Sequence, residues 1–241
     1  LYKSISEIIR EVSNIKNISH EHENDDAGSF TIATTHTQAR YKLPKVVEAF
    51  VKKYPKINLN IHQGDPSQVT DQILKGDADV GIATESIGHS ENIICIPCYS
   101  WNRVIVFPKN HSLTNVKEIT LQDIASYPMI TYDYAFTGST IVSKVFKEAK
   151  ITPNIMLTAI DADVIKTYVE LNLGVGLIAE MAYDKNKDST LEIRDVSHLF
   201  PTSTTYIGIR KETFVRGLVY DFIKMFTPDI TDFDLRNFLK K

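Results

Sequence analysis

The sequence predicts an α/β protein made of two Rossmann-like subdomains that two crossover segments join. Three observations support this fold class. Segments with the periodicity of strands and helices alternate from residue 30 onwards, in the βαβαβ order typical of an open, mostly parallel sheet. Two segments, ILKGDADVGIAT and VELNLGVGLIAE, share the order of helix end, glycine-containing turn and small-residue strand. The length of 241 residues also exceeds the commonest size of a single domain.

The first 29 residues differ from the rest of the chain. Apolar residues are spaced 4, 3, 4, 3 in the a/d pattern of a coiled-coil seam, which predicts a helix over residues 1–19. This helix could pair with a second chain or pack on its own domain. The polar, acidic segment at 20–29 is predicted to be a linker. The seam residues are Leu1, Ile5, Ile8, Val12 and Ile15.

Three kinds of signal predict the elements of the first subdomain: the apolar face of a helix, residues that begin or end a helix, and a buried strand. Ser67 is a residue type that caps helices, Gly76 is one that ends them, and a continuous small-apolar run is typical of a buried parallel strand. The predicted elements are a strand at FTIAT from Phe30, a helix over Leu43 to Tyr54, a strand at INLNIHQG, a helix from Ser67 to Lys75, and a strand from Ala78 to Thr84.

The second subdomain repeats this alternation, and the chain then returns to the first. We expect the first subdomain at 30–101 plus 207–241 and the second at 102–206. Two chain crossings would then form a hinge beside a ligand cleft. The predicted elements are strands at NRVIVF and PMITY, a helix from Ser139 to Lys150, a strand at NIMLTAI, a helix from Asp161 to Asn172, strands at GVGLIAE, LEIRDV and TTYIGIRK, and helices at FVRGLVYDFIKMF and near Thr231 to Lys241.

Charge and composition exclude several classes of protein. The chain has 27 Lys and Arg against 30 Asp and Glu, a net charge of −3, and a broad nucleic-acid-binding surface would need a positive excess. No run approaches the roughly 18 apolar residues that span a bilayer, and the polar start is unlike a signal peptide. Two cysteines cannot form a disulfide framework for a chain of this size, so we expect a cytoplasmic protein, and we expect no membrane contact. Because the first residue is Leu1 rather than Met, we expect that a segment upstream has been removed.

Hydroxyl-bearing residues follow three of the predicted strands, at Thr34 to Gln38, at Thr84 with Glu85, and at Ala135 to Thr140. Ligands of open α/β sheets collect beyond the carboxyl ends of the strands, and hydroxyls with helix N-termini suit a small oxyanion. Gly138 would let the backbone approach such a ligand closely. The alternative is that these Thr and Ser residues only cap their helices.

The sequence does not favour catalysis. Cys95 and Cys98 have the spacing of a redox or metal-binding pair, but they lie in a β-branched, aromatic stretch that predicts a strand, so two buried, inert thiols are expected. His36 has no titratable partner beside it and is interpreted as a local structural histidine, and Glu85 is a lone carboxylate. No phosphate-loop, GxSxG or HExxH motif occurs. We expect no enzyme activity, no metal and no cofactor.

Several segments strongly resemble the effector-binding domain of the CysB and Cbl branch of the LysR-type transcriptional regulators. Residues 28–210 carry this resemblance densely. It implies a two-subdomain module similar to periplasmic binding proteins, preceded by a linker helix that pairs in a homodimer or homotetramer. DNA binding would belong to an N-terminal helix-turn-helix that this chain lacks. The segments are TIATTHTQARYKLPKVVEAFVKKYP, HQGDPSQVTDQILKGDADVGIATE, CYSWNRVIVFPKNHSL, FTGST and DADVIKTYVELNLGVGLIA.

The resemblance implies a regulator of sulfur assimilation and cysteine biosynthesis that senses sulfate, thiosulfate, O-acetylserine or N-acetylserine. A periplasmic solute-binding protein for a small oxyanion and, from the cysteine pair alone, a thiol-redox enzyme remain the alternatives. The sequence departs from its relatives at Ser139, where they commonly carry arginine, and this loss of charge puts the preferred effector in doubt. By resemblance, the effector would contact Thr35, Thr37, Gln38, Thr84, Trp101, Thr137 and Gly138.

Overall fold

The computed structural model describes residue 12, residues 27–133 and residues 137–239. The predicted helix over 1–19 therefore lies outside the described residues, except for Val12, which is helical and exposed. Residues 20–26 of the predicted linker also lie outside them. Residues 27–29, which the sequence assigned to this linker, belong to the first strand because they pair with the strand that starts at Lys56.

The chain forms two compact units. The first runs up to Tyr99 and resumes at Thr205, and the second spans Ser100–Thr204, so both crossings lie slightly before the expected positions. The strands are β1 (Ala27–Thr34), β2 (Lys56–Gln63), β3 (Val80–Ala83), β4 (Ile93–Trp101), β5 (Arg103–Pro108), β6 (Met129–Tyr132), β7 (Ile155–Ala159), β8 (Val175–Ala179), β9 (Leu191–Asp195) and β10 (Ser203–Arg210). The helices are α1 (His36–Tyr41), α2 (Leu43–Lys53), α3 (Pro66–Lys75), α4 (Leu121–Ala125), α5 (Thr137–Glu148), α6 (Ala162–Glu170), α7 (Gly217–Phe226) and α8 (Asp232–Leu239).

The two sheets have the same topology. Their strand orders are β2-β1-β3-β10-β4 and β7-β6-β8-β5-β9. In each sheet three strands are parallel, and the strand that follows a chain crossing, β10 or β5, joins the third of them in antiparallel orientation. The segments whose similarity suggested two related subdomains end in β3 and β8, which hold equivalent places. The predicted fold class is confirmed, and the antiparallel pairing of β10 and β5 makes both sheets mixed.

Each unit has its own hydrophobic core. In the first unit, the rings of Phe30, Phe50 and Phe222 from β1, α2 and α7 pack with centroids 5.0 to 5.5 Å apart. In the second, Phe107 and Phe146 are among the largest fully buried side chains. Aromatic burial of this kind dominates core energetics, so the apolar faces identified in the sequence form the cores.

A capping residue of α3 differs from the predicted one. Asp65, not Ser67, is the N-cap, and its Oδ1 accepts hydrogen bonds from the N–H groups of Ser67 (2.8 Å) and Gln68 (3.0 Å). The side chain of Gln68 accepts in turn from the N–H of Asp65, which completes a capping box. Pro66, in the first turn, has no backbone N–H and so needs no hydrogen-bond acceptor. Gly76 ends the helix with φ of 79°, as predicted.

Candidate functional site

Two of the sequence-predicted site residues lie at one edge of the first sheet. Thr35 directly follows β1, Thr84 directly follows β3, and these strands are parallel neighbours in which Thr34 pairs with Ile82. The N–H of Thr35 continues the ladder by donating to the carbonyl of Ile82 at 3.3 Å. The strand ends thus bring together two threonines that are distant in the sequence.

The side chains of Thr35 and Thr84 do not cap the helices that follow them. Each occupies the N-cap position, Thr35 before α1 and Thr84 before the 3₁₀ helix Glu85–His89, and neither forms a side-chain capping hydrogen bond. Thr35 is buried, whereas Thr84 and Thr37 are half-buried. Capping, the alternative explanation for these residues in the sequence, therefore does not account for their hydroxyls.

Gln38 is already hydrogen-bonded inside the first unit. Its side chain is 1% exposed. Its Nε2 donates to Thr205 Oγ1 at 3.2 Å, and its Oε1 accepts from the hydroxyl of Tyr99. A carboxamide has two N–H donors and one carbonyl, so these two contacts engage the carbonyl and one N–H. Gln38 joins α1 to β4 and β10 at the residues where the chain leaves and re-enters the unit.

Tyr99 is a partly buried hydrogen-bond donor at the end of the first segment of the unit. Burial raises the pKa of its hydroxyl far above the usual range, although hydrogen bonds to Thr205 and Gln38 act in the opposite direction. The ammonium group of Lys42 lies 4.6 Å from the centroid of the Tyr99 ring. A tyrosine hydroxyl is protonated at neutral pH even at its usual pKa of about 10, and the raised pKa extends its role as a donor to Gln38 to more alkaline pH.

Trp101 lies in the second unit, close to the point where the chain enters it. The guanidinium of Arg103 is 5.1 Å from the centroid of the indole ring, which is within the range of a cation–π contact. Arg103 is buried and donates to the carbonyl of Pro201 and to Ser203 Oγ, both at 3.0 Å. Arg103 thus contacts the Trp101 ring and anchors the segment that leads out of the unit.

The remaining predicted residues, Thr137 and Gly138, open α5. The side chains of residues 134–140 lie outside the described part of the structure, Ser139 included. Thr137 and Gly138 are helical and follow β6, which holds in the second sheet the place that β1 holds in the first. Thr137 therefore occupies a place in its unit comparable to that of the loop carrying Thr35.

Two buried polar atoms without hydrogen-bond partners were not identified from the sequence. His36 Nδ1, at the first residue of α1, and Thr131 Oγ1, near the end of β6, have no partner in the described structure. Thr131 is 3% exposed. Buried polar groups are normally paired, so both atoms need a partner. His36 had been interpreted as structural, and Thr131 gave no signal beyond the strand periodicity of PMITY.

The cysteines do not have the properties of a redox pair. Both are free, half-buried thiols on β4, less buried than the sequence predicted. Burial raises the pKa of Cys95, and it raises that of Cys98 to about 11, whereas redox-active thiols have lowered pKa values. Cys95 packs against the cluster around Ile73 and Cys98 against the main core of the unit.

The described ranges contain neither a metal-binding cluster nor a membrane-spanning helix. Within residues 27–133 and 137–239, together with residue 12, no group of three or more His, Cys, Asp and Glu side chains could hold a metal ion. Over the same ranges, no helix is both long and apolar enough to cross a bilayer.

Comparison with known proteins places this arrangement among transcription regulators. Residues 23–229 match the family described as the LysR substrate binding domain. The regulator SsuR of Burkholderia cenocepacia is 43% identical over 241 residues, which are 100% of this chain and 78% of SsuR. The regulator CysB of Haemophilus influenzae is 44% identical over 225 residues, covering 93% of this chain and 69% of CysB.

A solved structure supports the same relationship. The crystal structure of the cofactor-binding domain of the Cbl transcriptional regulator superposes with a TM-score of 0.84 at 36% identity, covering 90% of this chain and 96% of that domain. The effector-binding domain of QuiR, solved with shikimate, reaches a TM-score of 0.73 at 17% identity. At that identity the likeness concerns the fold alone.

Proposed function

This chain belongs to the family of LysR substrate-binding domains, and from that premise we propose that it is the effector-sensing part of a transcription regulator of sulfur assimilation and cysteine biosynthesis. The effector is sulfate, thiosulfate, O-acetylserine or N-acetylserine. Relatives named as CysB, Cbl and SsuR regulators support this assignment. The protein acts in the cytoplasm as a homodimer or homotetramer, without a cofactor and without catalysis.

The observation that carries the proposal is the pair of threonines that do not cap their helices. Thr35 and Thr84 follow neighbouring parallel strands, and their hydroxyls are not used as caps. A hydroxyl can donate to an anionic oxygen without bringing a charge of its own. Sulfate is fully ionised and only accepts hydrogen bonds, whereas a protonated phosphate leaves its own donor unpaired, at a cost of about 1–3 kcal/mol.

Regulation follows if the effector binds one state of the protein more tightly than another. The change would reach DNA through the N-terminal helix-turn-helix of the full-length regulator. Two observations disfavour the alternatives of a periplasmic solute-binding protein and a thiol-redox enzyme. The named relatives are regulators rather than solute-binding proteins. The raised pKa values of Cys95 and Cys98 oppose thiol-redox chemistry.

Calorimetric titration with sulfate, thiosulfate, both acetylserines and phosphate tests the proposal. We expect measurable affinity for at least one sulfur effector and about five- to 150-fold weaker binding of phosphate. The variant Thr35→Ala with Thr137→Ala should weaken binding by about tenfold or more, since each removes a donor to an anion. Thr190→Ala removes an exposed hydroxyl of the second unit that bonds Glu170, and it serves as the control. Unchanged sulfate affinity in the double variant would move the site elsewhere.

A further inference from the structure

Three side chains of the first unit, those of Gln38, Tyr99 and Thr205, close a ring of hydrogen bonds. Gln38 Nε2 donates to Thr205 Oγ1 at 3.2 Å, and Gln38 Oε1 accepts from the Tyr99 hydroxyl. A hydrogen bond between Thr205 and Tyr99 completes the ring. Hydroxyls and carboxamides can both donate and accept, so each member donates one bond and accepts one. These three side chains are called the Gln38 ring below.

The Gln38 ring is shielded from water. Thr205 is 0% exposed and Gln38 is 1% exposed. Hydrogen bonds are stronger at the low dielectric of a protein interior, and the loss of one member of a buried network leaves the groups of the others unmet. A displacement of one member is therefore unfavourable unless the other two move with it.

Gln38 is part of the helix that carries two of the proposed effector residues. The carbonyl of Thr35 accepts from the N–H of Ala39 at 3.1 Å, and Thr37 directly precedes Gln38. The carbonyl of Gln38 accepts from the N–H of Lys42, also at 3.1 Å. Because α1 has only six residues, these bonds hold it together over its whole length. A shift of Gln38 consequently shifts Thr35 and Thr37 as well.

Tyr99 and Thr205 stand at the two chain crossings. Tyr99 ends the first segment of the unit, and Thr205 begins the second. They belong to the neighbouring strands β4 and β10. The residues that follow and precede them are also in contact, since Ser100 Oγ and Thr204 Oγ1 are 3.2 Å apart. The crossing strands are thus joined to each other and, through the ring, to α1.

Tyr99 also has contacts that do not depend on its hydroxyl. The ammonium group of Lys42, at the end of α1, lies 4.6 Å from the centroid of the Tyr99 ring. The ring of Phe226, in α7, has its centroid 5.9 Å away. Phenylalanine at position 99 would keep both contacts, so the hydroxyl can be removed without emptying the place of the side chain.

We propose that the Gln38 ring transmits effector binding from Thr35 and Thr37 to the two chain crossings, with Tyr99 and Thr205 as positioning residues. This inference rests on the proposed function, in which the effector contacts the threonines of α1. An effector that fixes these threonines also fixes Gln38, which restrains both crossing strands at once. Effector binding thereby favours one arrangement of the crossings, as regulation requires.

Amide exchange of the whole chain without effector, followed by NMR, tests the ring itself. Tyr99→Phe and Thr205→Val each remove one hydroxyl and largely keep the shape of the side chain. Each should speed exchange of the Ala39 and Lys42 amides about two- to tenfold, the factor that one buried hydrogen bond supplies. Thr205→Ser keeps the hydroxyl, and its rates should stay close to those of the parent.

Two controls separate the ring from a general loss of stability. The N–H of Val69, in α3, donates to the carbonyl of Asp65 at 2.9 Å and lies outside the ring, so its exchange should not change. Ser100→Ala removes an exposed hydroxyl one position beyond Tyr99, and it should leave the α1 amides unchanged. Equal acceleration of all amides, or the same effect from Ser100→Ala, would contradict a specific role of the ring.

Sulfate binding then tests the transmission. In the parent chain, saturating sulfate should slow exchange of the amides at 98–101 and 203–207 at least about threefold. Thr205→Val should still bind sulfate, up to about tenfold more weakly, but without this slowing. Thr205→Ser should retain both. Undiminished slowing in Thr205→Val would overturn the transmission.

Failure of the proposed function would look different. If the parent chain bound neither sulfate, thiosulfate nor either acetylserine, the proposed function would be wrong, and the transmission of effector binding with it. The exchange rates measured without effector would still show whether Tyr99 and Thr205 hold α1 through Gln38.

Discussion

Gln38 Nε2 donates a hydrogen bond to Thr205 Oγ1 over 3.2 Å, between residues that stand 167 positions apart in the chain. The same carboxamide accepts from Tyr99. Thr205 and Tyr99 flank the two chain crossings. Gln38 therefore links the loop that carries Thr35 to both crossing strands, in addition to any contact with an effector.

Replacing Gln38 should destabilise the first unit. Gln38→Ala removes two hydrogen bonds, those of its buried carboxamide to the hydroxyls of Tyr99 and Thr205, which together contribute about 1–3 kcal/mol. We expect a loss of that size in the free energy of unfolding, measured by urea denaturation. Thr37→Ala, at the neighbouring half-buried position, should cost less than about 0.5 kcal/mol. Equal stability of Gln38→Ala and the parent chain would contradict the linking role.

A methyl group on Gly81 or Gly176 should disrupt equivalent helix contacts in the two units. A Cβ on Gly81 would lie 2.2 Å from Ile73 Cδ1 of α3, and one on Gly176 would lie 2.9 Å from side-chain carbons of Ile165 and Val169 of α6. Overpacking of this kind costs about 1–3 kcal/mol. Thermal unfolding should show a lower Tm for both alanine variants.

Gly88→Ala provides the matched control for these substitutions. The nearest atom to its added Cβ would be Cys95 Sγ, at 4.0 Å, an ordinary van der Waals contact. We expect the Tm of this variant to stay close to that of the parent. If Gly81→Ala and Gly88→Ala lower the Tm equally, close packing of α3 on β3 is not the cause.

Lys166 forms a buried ion pair whose disruption should be costly. Its Nζ donates to both carboxylate oxygens of Asp188, at 2.9 and 3.0 Å, and to the carbonyl of Ala182. Lys166→Met leaves the buried Asp188 charge unpaired, which costs about 3–5 kcal/mol. Adding Asp188→Asn should restore at least half of the loss, as measured by chemical denaturation.

Lys187→Met is the control for this charge removal. Lys187 is exposed and lies 3.9 Å from Asp184, and surface pairs contribute only about 0–1 kcal/mol. If Lys166→Met and Lys187→Met have the same small effect, the buried pair does not contribute as proposed.

Cys98 should react slowly with thiol reagents near neutral pH. Because its pKa is about 11, about one thiol in a thousand is ionised at pH 8, and only the thiolate attacks. The rate of modification in Cys95→Ser, which leaves Cys98 as the only thiol, should rise about tenfold per pH unit between pH 8 and 10. Fast modification at pH 7 would instead indicate an activated thiol.

Asp65 should contribute stability that is lost in acid. Burial opposes its ionisation, but hydrogen bonds from Gln68 and Ser67 outweigh burial and lower its pKa in the folded state. The contribution is therefore present above the unfolded pKa of about 3.9 and lost as the pH falls through the folded value. Asp65→Ala should cost about 0.5–2 kcal/mol at pH 7. The difference from the parent should shrink below pH 4.

Ser67→Ala distinguishes this cap from the one predicted from sequence. Ser67 lies inside α3, where it gives Asp65 a backbone N–H that alanine retains and an exposed hydroxyl bond of 2.7 Å that alanine removes. We expect a change of less than about 0.5 kcal/mol. A larger loss for Ser67→Ala than for Asp65→Ala would assign the cap to Ser67.

The parts of the fold that depend on local patterns were predictable. The order of strands and helices, the internal similarity and the positions of Thr35 and Thr84 at strand ends follow from periodicity and from the geometry of parallel sheets. The hydrogen bonds of Gln38 were not predictable, because their partners are distant in the sequence. These residues come together only when β4 and β10 enter the sheet. The Asp65 cap was missed since Asp65, Ser67 and Gln68 all suit a helix start, and only backbone geometry separates them.

The interleaving of the chain has a consequence for biosynthesis. The second unit is continuous, from Ser100 to Thr204, whereas the sheet of the first unit needs β10, which follows Thr202. On a ribosome, the second unit can acquire its complete set of strands before the first can. Until β10 has been synthesised, the first sheet has a gap between β3 and β4. A nascent chain stalled before β10 should expose that gap to chaperones.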